Sequence, residues 1–415
     1  MPNELSHPYR IPEVTVQSDW VEVVSDVARR VVGSESFWVS CYKKGAVSVH
    51  GSVKVLNVSD DPSSVEFIGK DGVDVEKIDN YSFYLSCNAM ELSRVIIKGA
   101  KSTLKNIHET KMITAMDISP GGRLFVTGDN KGILKVGDTS DGSVRRELLG
   151  HVLDISTCRF FPSGQVILSG SGDFQLRIWS ALDGSNPVTL KGHIKGVTDT
   201  AIIDRGRNIL SASRDGTIKL WDCGSSSTLS TMGHYESSVD KISLGTFIHD
   251  LPYTRNSDYQ LDSREVATQD KIVVGALGSG AVIGIDLRSK KEIFSADSYR
   301  NVSLCSCAYS PNRNLIIAGS SQGVIELFDI RDLSKNLSTF QRNEAAVNDL
   351  LFIEGSSDFL VAQGDGSAYR ISGISITQAT HEYIGFDIDP VCSIRAIDNG
   401  REVYAAGRDG CLRNY

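Results

Sequence analysis

Short apolar runs alternate with polar turns along most of this chain. In the clearest unit, Ile209 to Ser213 reads as an apolar strand and Thr217 to Trp221 as a strand alternating apolar and polar positions; between them, Arg214-Asp215-Gly216 is a tight turn suited to left-handed backbone. Strand, turn and strand make a hairpin. The same grammar spans Leu124 to Gly137, Val166 to Trp179, Ile272 to Ile285, Leu315 to Phe328, Phe359 to Tyr369 and Val403 to Tyr415. With the last turn residue as anchor, the copies fall at Gly132, Phe174, Gly216, Gly280, Gly323, Gly366 and Gly410, spaced 42, 42, 64, 43, 43 and 44 residues apart. A hairpin recurring every forty-odd residues must stack on its neighbours to bury its faces, so the pattern predicts seven propeller blades in an all-β chain.

Blades two and three carry more than periodicity. A Gly-His precedes the first strand, Ser sits in the second, Asp in the turn and Trp in the third: His151, Ser169, Asp173 and Trp179, then His193, Ser211, Asp215 and Trp221. These sets resemble the structural hydrogen-bond tetrad of WD repeats. Read as catalysis, Ser, His and Asp suggest a hydrolase, but the arrangement repeats at blade spacing and each set ends in a core Trp, which favours the structural reading. Elsewhere the set is incomplete. Gly137, Ile285 and Phe328 replace Trp, and only His108 and His234 offer an equivalent His.

Composition narrows the class. The 415 residues are 40% hydrophobic and 23% charged with 38 Gly, which suits a large, turn-rich β domain. A formal net charge of -8 argues against nucleic acid as a partner, because phosphate binding needs a basic face. No apolar stretch is long enough for a membrane helix and Met1 to Arg10 lacks a signal segment, so the expected compartment is the cytosol or nucleus and no membrane partner is expected. The eight Cys include no Cys-x-x-Cys pair; Cys305 and Cys307 lie in an apolar strand pattern and are expected to be buried thiols. Gly278-Ser279-Gly280 follows a strand but has the wrong spacing for a dinucleotide loop and no following helix; it falls on a blade turn. Neither metal, cofactor nor catalytic residue is assigned.

Two regions depart from the repeat. The last blade stops at Tyr415 after its third strand, so a segment near residues 91–106 is expected to supply the fourth and close the ring. Upstream, residues 1–90 are too rich in β-branched and aromatic residues for a disordered arm. Strands are predicted at Ser36 to Tyr42, Val47 to Leu56, Val65 to Ile68 and Tyr81 to Cys87, with a short helix over Asp19 to Val32 bearing Val23, Val27 and Val31 on one face. The expected architecture is a seven-bladed WD40-type β-propeller over 91–415 with a small N-terminal β-rich appendage over 1–90. The appendage reads as a cover on the propeller or as a second contact surface. The 64-residue interval implies an insertion of about 21 residues between 247 and 270, polar and without period.

Several stretches are more particular. Cys158-Arg-Phe-Phe-Pro-Ser-Gly164, Leu176-Arg-Ile-Trp-Ser180, Asp199-Thr-Ala-Ile-Ile-Asp-Arg-Gly-Arg-Asn208, Ser211-Ala-Ser-Arg-Asp-Gly216 and Leu220-Trp-Asp-Cys-Gly224 resemble the proteasomal ATPase-associated factor family; Ile203 to Asn208 is the most distinctive part. The resemblance implies a non-enzymatic assembly chaperone of the proteasome regulatory-particle base that binds the C-terminal domain of one ATPase subunit; a monomer is expected. A WD adaptor of another complex, such as a ubiquitin ligase, is the alternative reading.

A propeller presents rigid strand-connecting loops on one face, which spares a binding partner the cost of ordering them. Loop geometry on the Gly-His side nominates Asp154, Lys195, Asp199, Arg214, Asp240, Arg300, Glu344, Asp387 and Arg408 as partner-binding residues. Acidic residues outnumber basic ones in this set. An acidic rim meeting a basic domain would steer association in a salt-dependent way.

Overall fold

The computed structural model describes residues 7–58, 64–110, 112–246, 262–373 and 376–415. Among these, six blades each hold four consecutive antiparallel strands, beginning with Ala115–Ile118, Leu124–Gly128, Leu134–Asp138 and Val144–Leu148; in two of them strands from the N-terminal region extend the sheet. A seventh joins Val391–Ile397, Glu402–Gly407 and Leu412–Asn414 to Ser102–Leu104. The innermost strand of each sheet packs on that of the next, and Val391–Ile397 packs back on Ala115–Ile118, so the sheets form a closed ring. This is a WD40-type β-propeller. Strand alternation explains the packing: in Asn208–Ser213 every residue is buried, because one face meets the preceding blade and the other the next.

Ring closure is narrower than residues 91–106. Leu104, Thr103 and Ser102 lie opposite Leu412, Arg413 and Asn414. Leu92–Gly99 instead runs parallel to His381–Ile384, the outer strand of blade six, and antiparallel to Ser82–Cys87. Its Leu92, Val95 and Ile97 are claimed by the appendage core, which is why it cannot serve blade seven.

The appendage is a four-stranded sheet (Glu13–Val16, Ser34–Tyr42, Val49–Asn57, Val65–Lys70), the helix Trp20–Ala28 and the three strands Asp74–Asp79, Ser82–Cys87 and Leu92–Gly99. Trp20, Phe37, Phe67 and Phe83 form its centre, with ring centroids 5.1 to 6.4 Å apart and mostly edge-to-face contacts. The helix is shorter than Asp19 to Val32: it ends at Ala28, Arg30 takes a positive φ, and Val31 is exposed rather than packed with Val23 and Val27.

The appendage packs on the outer edges of blades five and six. Tyr9–Arg10 pairs with Phe340–Gln341, and the buried Arg342 donates to Glu382 and to the Pro12 carbonyl while its guanidinium lies 4.2 Å from the Tyr369 ring centre. Of the insertion expected over 247–270, residues 247–261 lie outside the described residues. Its end is pinned: the buried Asn208 side chain donates to the Arg264 carbonyl at 3.2 Å and accepts from Val266 N–H at 2.7 Å.

Blade five holds a buried carboxyl, Glu326, which accepts from Tyr299 N–H at 2.9 Å and from the Asn336 amide. Burial pushes its pKa up from 4.5 to about 7. The folded state therefore keeps its proton between about pH 4.5 and 7 while the unfolded chain loses it, so this group's contribution to stability is full below 4.5 and is lost as pH rises through 7. Glu326→Gln keeps an acceptor for Tyr299 and removes the ionisation. Urea titrations at pH 5 and 8 should show the variant gaining up to about 3 kcal/mol on the parent at the higher pH. Equal differences at both values would place the carboxyl in a solvated site.

Candidate protein-binding face

The Ser, His and Asp sets turn out to be closed hydrogen-bond chains. Trp221 Nε1 donates to Ser211 Oγ at 2.8 Å; Ser211 Oγ lies 2.7 Å from His193 Nε2, and His193 Nδ1 lies 2.8 Å from Asp215 Oδ2. An indole is donor only and a carboxylate acceptor only, so the direction is fixed: Trp to Ser, Ser to His, His to Asp. Burial lowers the His193 pKa and favours the neutral imidazole that this chain needs. Trp179, Ser169, His151 and Asp173 repeat it at 2.8, 2.8 and 2.9 Å. Both hydroxyls are fully buried and already engaged by an indole, which leaves no approach for a substrate carbonyl.

Partial versions appear in other blades. His108 Nε2 lies 2.9 Å from Thr127 Oγ1, with Asp129 3.4 Å from its other nitrogen; Gly137 stands for Trp because a Cβ there would meet the Phe125 ring at 2.3 Å. His234 is exposed and takes no such place. Blade six uses Asn343, which donates to Asp365 at 2.5 Å across the same 22-residue separation as His193 and Asp215. Sequence reading missed it because Asn was not sought at a His position.

These networks hold the turns and the loops between blades on one face. At six of the seven anchors the residue is Gly with φ from +74° to +95°, and at Gly216 an added Cβ would lie 2.0 Å from the Tyr235 carbonyl of the adjoining loop. Phe174 is the exception. It holds φ +71° with a bulky side chain, a conformation that costs about 1–2 kcal/mol for a residue other than Gly, and its ring is 44% exposed. Exposed apolar side chains surround it in the loop register. Val152 and Leu153 precede blade two, and Ile194, 77% exposed, precedes blade three. Leu153 packs beside Gly172, and Gly172 packs beside Gly196, so both loops border the turn that carries Phe174. An exposed apolar patch beside charged rims is the usual mark of a protein-binding surface.

The nominated charged residues distribute as follows. Asp154 lies against Gly172, Lys195 sits between Ile194 and Gly196, Arg214 reaches Gly196, and Asp240 borders Gly278, so these four follow the apolar patch across blades two to four. Asp240 is half-buried, and burial raises its pKa. Arg300, Glu344, Asp387 and Arg408 continue round the ring at the equivalent loops, all exposed; Arg300 lies over the Tyr299 ring, and Glu344 pairs with Lys44 at 3.3 Å.

Asp199 does not belong with them. It is 1% exposed in the inner strand Val197–Ile203, where a bulge between Val197 and Asp199 turns it to the propeller axis. There it accepts from Arg159 at 3.1 Å and from Ile242 N–H at 3.2 Å. Without it the set holds four acidic and four basic residues, so the acidic excess disappears and the apolar patch becomes the distinguishing feature.

Along the axis, Asp199 is one of six alternating charges. Asp349 pairs with Lys241 at 3.3 Å and Arg395 at 2.6 Å; Arg395 also reaches Asp117 at 3.2 Å. Asp117, Arg159, Lys241, Asp349 and Arg395 line a cavity of about 380 Å³. Cys305 and Cys307 are free thiols: Cys307 is buried as expected, whereas Cys305 is only half-buried.

Residues 101–138, 141–180 and 184–222 match the WD domain, G-beta repeat family. The chain is 39% identical over 408 residues to proteasomal ATPase-associated factor 1 of Homo sapiens, covering 96% of this chain and 97% of that protein. The chain belongs to the proteasomal ATPase-associated factor family. Its similarity to the Bos taurus protein of that name is 40% over 409 residues, with the same coverage of both. The probable proteasomal ATPase-associated factor 1 of Dictyostelium discoideum is 35% identical over 439 residues, covering all of this chain and 98% of that protein. Within this family chain, the distinctive stretch ending at Asn208 is structural at two points: Asn208 pins the insertion, and Arg207 pairs with Asp222 at 2.5 Å.

Proposed function

We propose that this chain is a non-enzymatic assembly chaperone of the proteasome regulatory-particle base that holds the C-terminal domain of one proteasomal ATPase subunit on its loop face. The observation that carries the reading is Phe174, a strained and exposed aromatic at a turn where the other six copies use Gly. Strain of this kind persists where surrounding structure enforces it and often serves a site. The relatives' name, which associates them with a proteasomal ATPase, supplies the partner class. The propeller contributes a preformed surface: the tetrads fix the loops, so little ordering entropy is lost on docking.

Titration calorimetry of the full chain against the isolated C-terminal domain of each proteasomal ATPase tests this. One domain should bind selectively. Phe174→Gly should weaken that binding by about 2 kcal/mol, roughly 30-fold, while raising thermal stability by about 1 kcal/mol, because an aromatic anchor is lost and the strained turn is relieved. Gain of stability with unchanged affinity would move the partner off this patch. Binding to none of the domains would sink the chaperone reading and direct attention to the adaptor alternative.

A further inference from the structure

A second recess lies on the far side of the ring, where the appendage meets blade six. It has a volume of about 450 Å³, within the range of small binding clefts, and runs between the edge strand Glu13–Val16, the turn Asp365 to Ala368 and the loop Gly385 to Ile388. Three features describe its ligand. The first is hydrogen-bonding capacity. Gln17 N–H donates to the Trp38 carbonyl, so in the antiparallel register Thr15 and Glu13 exchange bonds with Ser40 and Tyr42, and the main-chain groups of Val14 and Val16 point away from that partner toward the groove.

The second feature is an apolar rim. Trp38 is 49% exposed and Ile388 86% exposed, and both line the groove. The third is charge. Glu13, Asp365, Glu382 and Asp387 line it, and no Lys or Arg does among the described residues. The nearest cations are spoken for: Arg342 pairs with Glu382, and Arg413 pairs with Asp409 at 2.5 Å. Glu13, Asp365 and Asp387 form no ion pair among the described residues, and the buried Tyr369 hydroxyl, close to Glu13, Asp365 and Glu382, has no hydrogen-bond partner there.

We propose that this groove binds an extended peptide that adds to the Glu13–Val16 edge, setting an apolar side chain between Trp38 and Ile388 and a Lys or Arg among Glu13, Asp365 and Asp387. Edge addition gives affinity through main-chain bonds, and the alternating apolar and cationic pockets give selectivity. The site is separate from the Phe174 patch and does not depend on what that patch binds. Trp38 is a built-in reporter, because Trp20, Trp179 and Trp221 are all fully buried.

The test is titration of the full chain with three hexapeptides alternating Leu-Lys, Leu-Glu and Ser-Lys, read by Trp emission and calorimetry. The Leu-Lys peptide should bind at least 10-fold more tightly than the other two and shift the Trp38 emission. Its affinity should fall at least 10-fold with Ile388→Arg and with Glu13→Gln combined with Asp387→Asn, and remain unchanged in Phe174→Gly. Equal binding of the three peptides, or affinity unmoved by Ile388→Arg, overturns the proposal. So does binding that appears only after residues 1–6 are removed, since the occupant is then the chain's own N-terminus.

Discussion

Deletion of residues 1–106 is expected to give an aggregating species without a cooperative unfolding transition. Blade seven then keeps only Val391–Ile397, Glu402–Gly407 and Leu412–Asn414, and the last of these becomes an open edge facing solvent. Leu104, which packs with Met116, Phe125 and Leu412, goes with the deletion, at about 1–2 kcal/mol in apolar burial. The same cut uncovers His381–Ile384 and Phe340–Gln341, so three consecutive blades lose an outer neighbour and Arg342 with Glu382 loses the Pro12 cover. Unpaired strand edges beside exposed apolar surface recruit other chains. Size-exclusion chromatography with light scattering checks the result. A companion deletion of residues 1–99 retains Ser102–Leu104 and should aggregate less; if both behave as stable monomers, the ring does not need this strand.

Much of this architecture was legible because its repeat is marked by turn chemistry. A Gly at positive φ is demanded by close carbonyls, as at Gly216 and Gly366, so six of the seven anchors could be read from residue type. The tetrads were legible for a similar reason, since His, Ser, Asp and Trp each have one compatible place. Polar strands were not. Asp74–Asp79 is an appendage strand made largely of charged residues, with no buried face to give it a period of two. Asp199 misled for a different reason. The Thr-Asp-Thr run looked like loop, but the strand begins at Val197, and the charge is affordable at the axis because Arg159 meets it. Phe174 was visible as the one anchor that is not Gly; what gives it meaning is the positive φ, which only the backbone supplies.

The axial network makes the last prediction. Asp349 is buried, and although burial opposes its ionisation, Lys241 and Arg395 hold its pKa down at about 2. Its Oδ2 also accepts from Ile394 N–H at 3.1 Å, which ties blade six to blade seven. Asp349→Ala would leave Lys241 and the Ile394 N–H without this partner and Arg395 with Asp117 alone in a shielded space, a change expected to cost about 3–5 kcal/mol and to lower Tm by about 5 °C for a chain of this size. Because the folded pKa is depressed, this contribution is present above about pH 4 and is lost as pH falls through 2, so the stability gap between parent and variant should narrow on acidification. Adding Lys241→Met should recover part of the loss by removing one of the stranded charges. A variant within 1 °C of the parent would mean that water reaches the axis and screens the charges, and a loss that persists in full at pH 2 would place the effect in packing rather than in the ion pairs.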